Sequence, residues 1–210
     1  MKKTAKTNQG FTIVELLFAM TVFSLILIGA AAGLMQIGRM YYRSVITTRT
    51  QDVNRTIIDE VSRAIQFSGS EPNFVRDAGD GKLLALCVGG SRYSPVINQQ
   101  IGASGVTHGL YKDEAGAQCT HDPNPSGGTE LLGDNMRLTA FDVQIIPNTD
   151  QYRVNTSIAY GEDDLLQGLA ADGSAVDLDG AERVVCRSAP VGTEFCAISE
   201  LATLVSRRVL

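Results

Sequence analysis

From Leu16 to Gly38 the chain runs for 23 residues without a charged side chain, and a single acid, Glu15, stands at its leading edge. No other feature restricts the possible folds as strongly. About 20 apolar residues span the hydrocarbon core of a bilayer as a helix, whereas 10–14 do not. Ser24 and Gln36 dilute the run only slightly. A cleaved secretory signal would have a shorter apolar stretch ending in small residues, and Ala30-Ala31-Ala32 has that character. A plain single-span anchor accounts for the length but not for Glu15. An acid near mid-membrane costs about 2.5–3.5 kcal/mol on insertion scales, and less towards the surface. Lys2, Lys3 and Lys6 on one flank nearly balance Arg39, Arg43 and Arg49 on the other, so the positive-inside rule does not orient the span.

The helix is expected to continue beyond the apolar run. No proline lies between Phe11 and Glu71; the first is Pro72. After Arg39 the pattern becomes amphipathic, with Val53, Ile57, Val61 and Ile65 four apart and Ile46 about two turns earlier. Arg55, Asp59 and Arg63 make i, i+4 pairs on another face, each contributing a few tenths of a kcal/mol. Ser68-Gly69-Ser70 and Pro72 end the pattern, with Gly69 as the C-cap. The expectation is a helix over residues 12–67, roughly 84 Å long.

Past Pro72 short apolar runs alternate with Gly, Asn, Asp and Pro. Residues 83–88 read as a buried strand. Phe141, Val143 and Ile145 alternate, then come the turn 147–150 and the alternating Tyr152, Val154, Ile158 and Tyr160, which together signal a hairpin. Residues 202–210 read as a last strand, and 102–133 as loop with short strands. The fold class expected is α+β: a long N-terminal helix whose second half packs on an antiparallel sheet. The formal charge is −5. Without the three N-terminal lysines it is −8, so a basic tip precedes an acidic body. That balance gives no footprint for nucleic acid, and Arg183, Arg187, Arg207 and Arg208 are too few for a local patch.

The stretch Gly10-Phe11-Thr12-Ile13-Val14-Glu15-Leu16-Leu17 resembles the class III signal of type IV prepilins and pseudopilins: a short basic leader ending in Gly, then Phe, then an acid five residues into the processed chain, then a membrane-length helix. The resemblance implies cleavage between Gly10 and Phe11 by a prepilin peptidase/methyltransferase, retention of the helix, and N-methylation of the new Phe11 amine. It also implies delivery through an inner-membrane assembly platform into a filament of pilin or pseudopilin subunits. Glu15 would then meet the Phe11 amine of a neighbouring subunit, since charges in a low-dielectric region need partners. The organisation implied is a leader (1–10), a transmembrane and filament-core helix (11–38), its amphipathic second half (39–71) and an exported β-rich head (72–210). The subunit would be single-pass in the cytoplasmic membrane before assembly, and in an extracellular pilus or periplasmic pseudopilus afterwards.

Many major pilins carry a proline in the membrane-proximal half of this helix. Here the stretch reads Gly29-Ala-Ala-Ala-Gly33, a small-xxx-small pattern suited to close helix packing. Residues 141–160 and 201–209 resemble, more distantly, PilW-like minor pilins and J-type pseudopilins, and the processed length of 200 residues also suits a minor subunit.

The four cysteines all lie in the part expected outside, where disulfides persist. Cys186 and Cys196 enclose nine residues and are the first expected pair, which leaves Cys87 to Cys119; free thiols are the alternative. A C-terminal disulfide-bounded loop is common in pilins. His108 and His121 lie near Cys119 without metal-ligand spacing and read as loop histidines. Asp177-Leu-Asp179-Gly-Ala-Glu182 offers oxygen ligands for Ca²⁺, as in some pseudopilins, but lacks the full loop pattern and reads as a solvated acidic turn. No P-loop, G-x-S-x-G or metalloprotease motif occurs. No cofactor, resident metal or catalytic activity is expected. Three functions compete: a structural, minor subunit of a type IV pilus, a minor pseudopilin of a type II secretion system, and a membrane-tethered binding module that does not assemble.

Overall fold

A computed structural model describes residues 11–103, 105, 108–116, 118–122, 127–187 and 193–208. One α-helix, α1 (Ile13–Gln66), opens the described residues. Eleven strands follow among the described residues: β1 (Asn73–Arg76), β2 (Leu83–Val88), β3 (Ser91–Pro95), β4 (Leu110–Glu114), β5 (Thr129–Glu130), β6 (Met136–Ile145), β7 (Gln151–Tyr160), β8 (Leu166–Leu169), β9 (Ala175–Val176), β10 (Arg183–Cys186) and β11 (Ala197–Ser206). The architecture is α+β and pilin-like. By contacts the chain divides into Met1–Tyr41 and Tyr42–Leu210.

In the first unit every described residue is exposed except Gly38, which is half-buried. Its helix holds an 18-residue window that is apolar enough to cross a membrane and 0% buried. Thr21 Oγ1 donates to Phe18 O and Ser24 Oγ to Met20 O, each at 2.8 Å. Both hydroxyls are thus satisfied within the helix, as a nonpolar surrounding requires.

The second unit forms around the amphipathic half of the helix. Ile57, Ile58, Val61 and Ile65 enter a core with Leu86, Tyr93, Leu110, Met136, Leu138, Val143, Val154, Ile158 and Val205. Three antiparallel sheets occur rather than the single one expected: β1-β2-β3-β4-β5, β11-β7-β6 and β10-β8-β9. The hairpin β6–β7 turns at Pro147–Asp150, with Asn148 at φ 62° and Ile146 N donating to Gln151 O at 2.9 Å. Gly89 and Gly90, at φ 59° and 81°, make the two-residue turn between β2 and β3.

Polar ties join these layers. Arg76 of β1 donates to Asp142 and to Val143 O of β6 at 2.8 and 2.7 Å. Lys112 of β4 reaches Glu60 of the helix at 2.6 Å. Glu130 accepts the N–H groups of Gly109, Leu110 and Leu132 at 2.7–2.9 Å, closing the end of the first sheet. Arg137 is buried, and its guanidinium donates to Gln100 Oε1 at 3.0 Å and Gly161 O at 3.2 Å while pairing with Asp163 at 2.5 Å.

Two expectations about chain ends need correction. Gly69 does not cap the helix with a left-handed residue, for its φ is not positive. The last turn closes instead through Phe67 N to Arg63 O at 3.0 Å and Ser68 N to Ile65 O at 3.4 Å, and Ser68 Oγ then turns onto Ser70 O. The last strand begins at Ala197, not Ala202, because its first half pairs with Ser157–Tyr160 of β7 in one continuous ladder, and it ends at Ser206. Residues 209–210, the expected end of that strand, lie outside the described residues.

Candidate functional site

The candidate site is the start of α1. Thr12 precedes the first helical residue, and its Oγ1 accepts the N–H of Glu15 at 3.3 Å. That bond satisfies one of the donors a helix leaves open at its beginning. The sequence Thr-Ile-Val-Glu has the spacing of a capping box, a signal that could have marked Thr12 from sequence alone. Glu15 lies in the first turn, where the helix dipole favours an acid by about 0.3–1 kcal/mol. The carboxylate is exposed, and among the described residues no cation pairs with it. Phe11, Ile13, Val14, Leu17 and Phe18 surround it as exposed apolar side chains. A solitary acid at the head of an apolar helix is stable in water but costly in hydrocarbon, so its chemistry is that of a group waiting for a positive partner.

Phe11, Glu15, Gly29 and Gly33 thus lie along one exposed segment; Gly10 falls outside the described residues. A Cβ added at Gly29 or Gly33 would meet nothing within 4 Å, so neither glycine is needed for packing inside the chain.

In the second unit Cys87 is bonded to Cys119 and Cys186 to Cys196. The first bond holds the segment after β4 against β2. Arg92 supports it by pairing with Asp113 and donating to Thr120 O at 3.1 Å. The Asp113 carboxylate beside it raises the Arg92 pKa further above its ordinary value. The second bond joins the end of β10 to the residue before β11. His121 Nδ1 lies 3.1 Å from Leu84 O, and His108 packs edge-on to Tyr111 at 4.5 Å, so each ring has a local contact. Asp177 and Glu182 flank a 3-10 turn, Leu178–Gly180, while the Asp179 side chain lies outside the described residues. No group of three acidic, histidine or cysteine side chains converges among the described residues.

Fold and segment together define a class: a membrane-anchored subunit whose exposed N-terminal helix leads into an α+β, pilin-like head. Residues 5–31 match the family model described as the prokaryotic N-terminal methylation motif. The match supports a class III signal of the kind found in type IV pilins and pseudopilins, and such a motif implies processing by a prepilin peptidase and assembly with other pilins. No curated protein and no solved structure matches it.

Proposed function

We propose that this chain is a structural, minor subunit of a type IV pilus, drawn from the membrane into a filament that serves attachment, twitching or DNA uptake. The observation that carries this reading is Glu15: an exposed acid without a partner among the described residues, heading an apolar helix within the matched motif. Cleavage between Gly10 and Phe11 would create an α-amino cation, which in an adjacent subunit would neutralise Glu15. The pairing would favour the assembled state and set the axial register. The glycines at 29 and 33 would let a second helix approach closely at the same time.

The absence of proline from the helix suits a minor pilin and a pseudopilin of a type II secretion system alike; proline first occurs at position 72. Replacing Glu15 with Ala or Leu in the full chain is expected to leave membrane insertion intact and to abolish recovery in sheared surface filaments. Glu15→Asp should recover part of that yield. Undiminished incorporation of Glu15→Ala would sink the proposal. Filaments that appear only as short periplasmic fibres beside a secretion pore would favour the pseudopilin. A membrane-extracted protein still starting at Met1 would favour the tethered module.

A further inference from the structure

Most sheet edges in the second unit are closed or short, and one long edge is open. β6 borders the sheet β11-β7-β6, but the carbonyls it turns outward are taken. Met136 O accepts from Ile101 N at 2.9 Å, Leu138 O from Asn98 N at 2.8 Å, and Val143 O from the Arg76 guanidinium at 2.7 Å. The register of β6 also shifts between Leu138 and Ala140, an irregularity that discourages further pairing. The border strands of the other two sheets, β1, β5, β9 and β10, are only two to four residues long. β11 is different. It has ten residues in unbroken register with β7, no proline, no lysine and a single charge, Glu200.

The ladder fixes which groups of β11 are free. Arg207 N donates to Asp150 O at 3.2 Å in the register of the strand, so the odd-numbered residues exchange bonds with β7. In an antiparallel pair the residues between them turn their N–H and C=O groups the other way. These are Ile198, Glu200, Ala202, Leu204 and Ser206, and among the described residues no hydrogen bond reaches their outward groups. β10 comes alongside only at the start, where Cys186 is bonded to Cys196 and Arg183 lies 3.7 Å from Glu200. The open stretch therefore runs from Glu200 to Ser206. A row of unpaired groups in extended geometry is matched by another extended backbone.

The side chains say what that backbone carries. Ser199 and Thr156 are turned towards Asn54 of the helix, so the even-numbered side chains of β11 face away from it. Glu200 and Leu204 are exposed, and Ala202 between them is small. Ala140, Ser157 and Ala202 leave a shallow depression with the Asp142 and Glu200 carboxylates beside it. Asp142 is paired with Arg76 at 2.8 Å, whereas Glu200 has only the distant, exposed Arg183. An added strand fits this ground when it sets a basic side chain opposite Glu200 and large apolar ones opposite Ala202 and Leu204. A second copy of β11 brings no cation to Glu200, because the strand contains none.

We propose that the β11 edge from Glu200 to Ser206 receives a strand of a different protein, antiparallel to β11, with one basic and two large apolar side chains on its outer row. The proposal goes beyond the assembly reading and does not depend on it, since no residue of the N-terminal segment takes part.

The probe is a fluorescein-labelled peptide of eight residues that carries lysine, phenylalanine and valine opposite Glu200, Ala202 and Leu204, with valine and threonine elsewhere. A second peptide has glutamate in place of the lysine. Binding to the full-length, detergent-solubilised protein is read by fluorescence anisotropy. The lysine peptide is expected to bind saturably and about fivefold more tightly than the glutamate peptide. Glu200→Lys should invert that preference. Ala202→Pro should abolish binding of both peptides and leave the unfolding transition in place, because the N–H it removes is not part of the ladder with β7. Binding that survives Ala202→Pro overturns the proposal, and so does a lysine peptide that fails to bind the parent protein. Should Ala202→Pro fail to fold, Glu200→Lys decides, and an unchanged preference overturns the proposal. Self-association of the parent protein that Ala202→Pro abolishes, without peptide binding, overturns it in favour of a second copy of the chain.

Discussion

The two parts of α1 make contrary use of the same element. Of the helical residues up to Tyr41 none is buried, although most are apolar; of those from Tyr42 onwards seven are buried, although most are polar. The buried positions are Ile46, Thr50, Asn54, Ile57, Ile58, Val61 and Ile65, a stripe with the three-to-four spacing of one helix face. Hydrophobicity alone therefore does not say where a residue is packed. In the second part, apolar side chains are few and aligned, and the sheets cover them. In the first, they point in all directions, and only a surrounding that is itself apolar, lipid or neighbouring helices, can cover them.

The sharpest way to break this contrast is to delete the same atoms from the two parts. Ile65 is fully buried and Ile28 is 67% exposed. Ile65→Ala should destabilise the detergent-solubilised protein by about 2–5 kcal/mol, through lost transfer energy and the cavity left behind. Ile28→Ala should change the same unfolding transition by no more than about 0.5 kcal/mol. Denaturant titration followed by circular dichroism checks both. Equal losses would mean that the first part has packing partners within its own chain.

A smaller effect tests how the second part is fixed on its sheet. Asn54 is fully buried; its Nδ2 donates to Ser199 O at 2.8 Å and Ser199 Oγ at 3.1 Å, and its Oδ1 accepts from Thr156 Oγ1. It sits on the apolar stripe, one turn before Ile57 and Ile58. Asn54→Leu keeps the bulk but strands the Thr156 hydroxyl and the Ser199 groups, at a cost of about 1–3 kcal/mol. Adding Thr156→Val should recover part of that loss, because the abandoned hydroxyl goes with it. A double variant as unstable as the sum of the two single ones would show that these groups do not act as a unit.

Asn54 also marks where sequence reasoning stops. The helix was legible within a residue at each end, because an uninterrupted run and a four-residue period are local signals. The hairpin β6–β7 was legible too, through alternation on either side of Pro147–Asp150. A polar residue on a helix stripe, however, becomes meaningful only when Thr156 and Ser199, more than 100 positions away, are brought to it. The first sheet was visible only at β2, since β1 and β3 to β5 are short and carry Asn, Arg, Lys and Glu. Its order depends on distant ties such as Glu130 to Gly109 and Leu110. At the candidate site, Glu15 stood out as the one charge beside an uncharged run. Thr12 was overlooked although its capping role is equally local. The ring contact of Tyr42 with Phe195, centroids 6.0 Å apart, could not be foreseen, for it follows from where the Cys186–Cys196 bond and the start of β11 bring the chain.

The smallest expected effect concerns a core residue that packs like the stripe but retains a polar atom. Tyr93 is fully buried, and its hydroxyl has no hydrogen-bond partner among the described residues. Burial, and secondarily the Glu60 carboxylate, push its phenol well above the ordinary value of 10.0. Lys112 Nζ, which pairs with Glu60, lies 5.9 Å from the ring centre. Because the folded pKa is the higher one, the stability tied to this proton is complete below pH 10. It is lost as pH rises from there towards the folded value, the unfolded phenol ionising first. Tyr93→Phe should therefore alter stability at pH 7 by no more than about 1 kcal/mol, since no hydrogen bond within the described residues is removed. Above pH 10 the variant should lose less stability than the parent, and urea titrations at pH 7 and pH 11 measure the difference. Tyr152, also raised by burial, remains in both proteins and cancels in the comparison. A variant as alkali-sensitive as its parent would show that the Tyr93 ring reaches solvent before the head unfolds, and that the packing on the helix stripe is looser there than the burial of its neighbours requires.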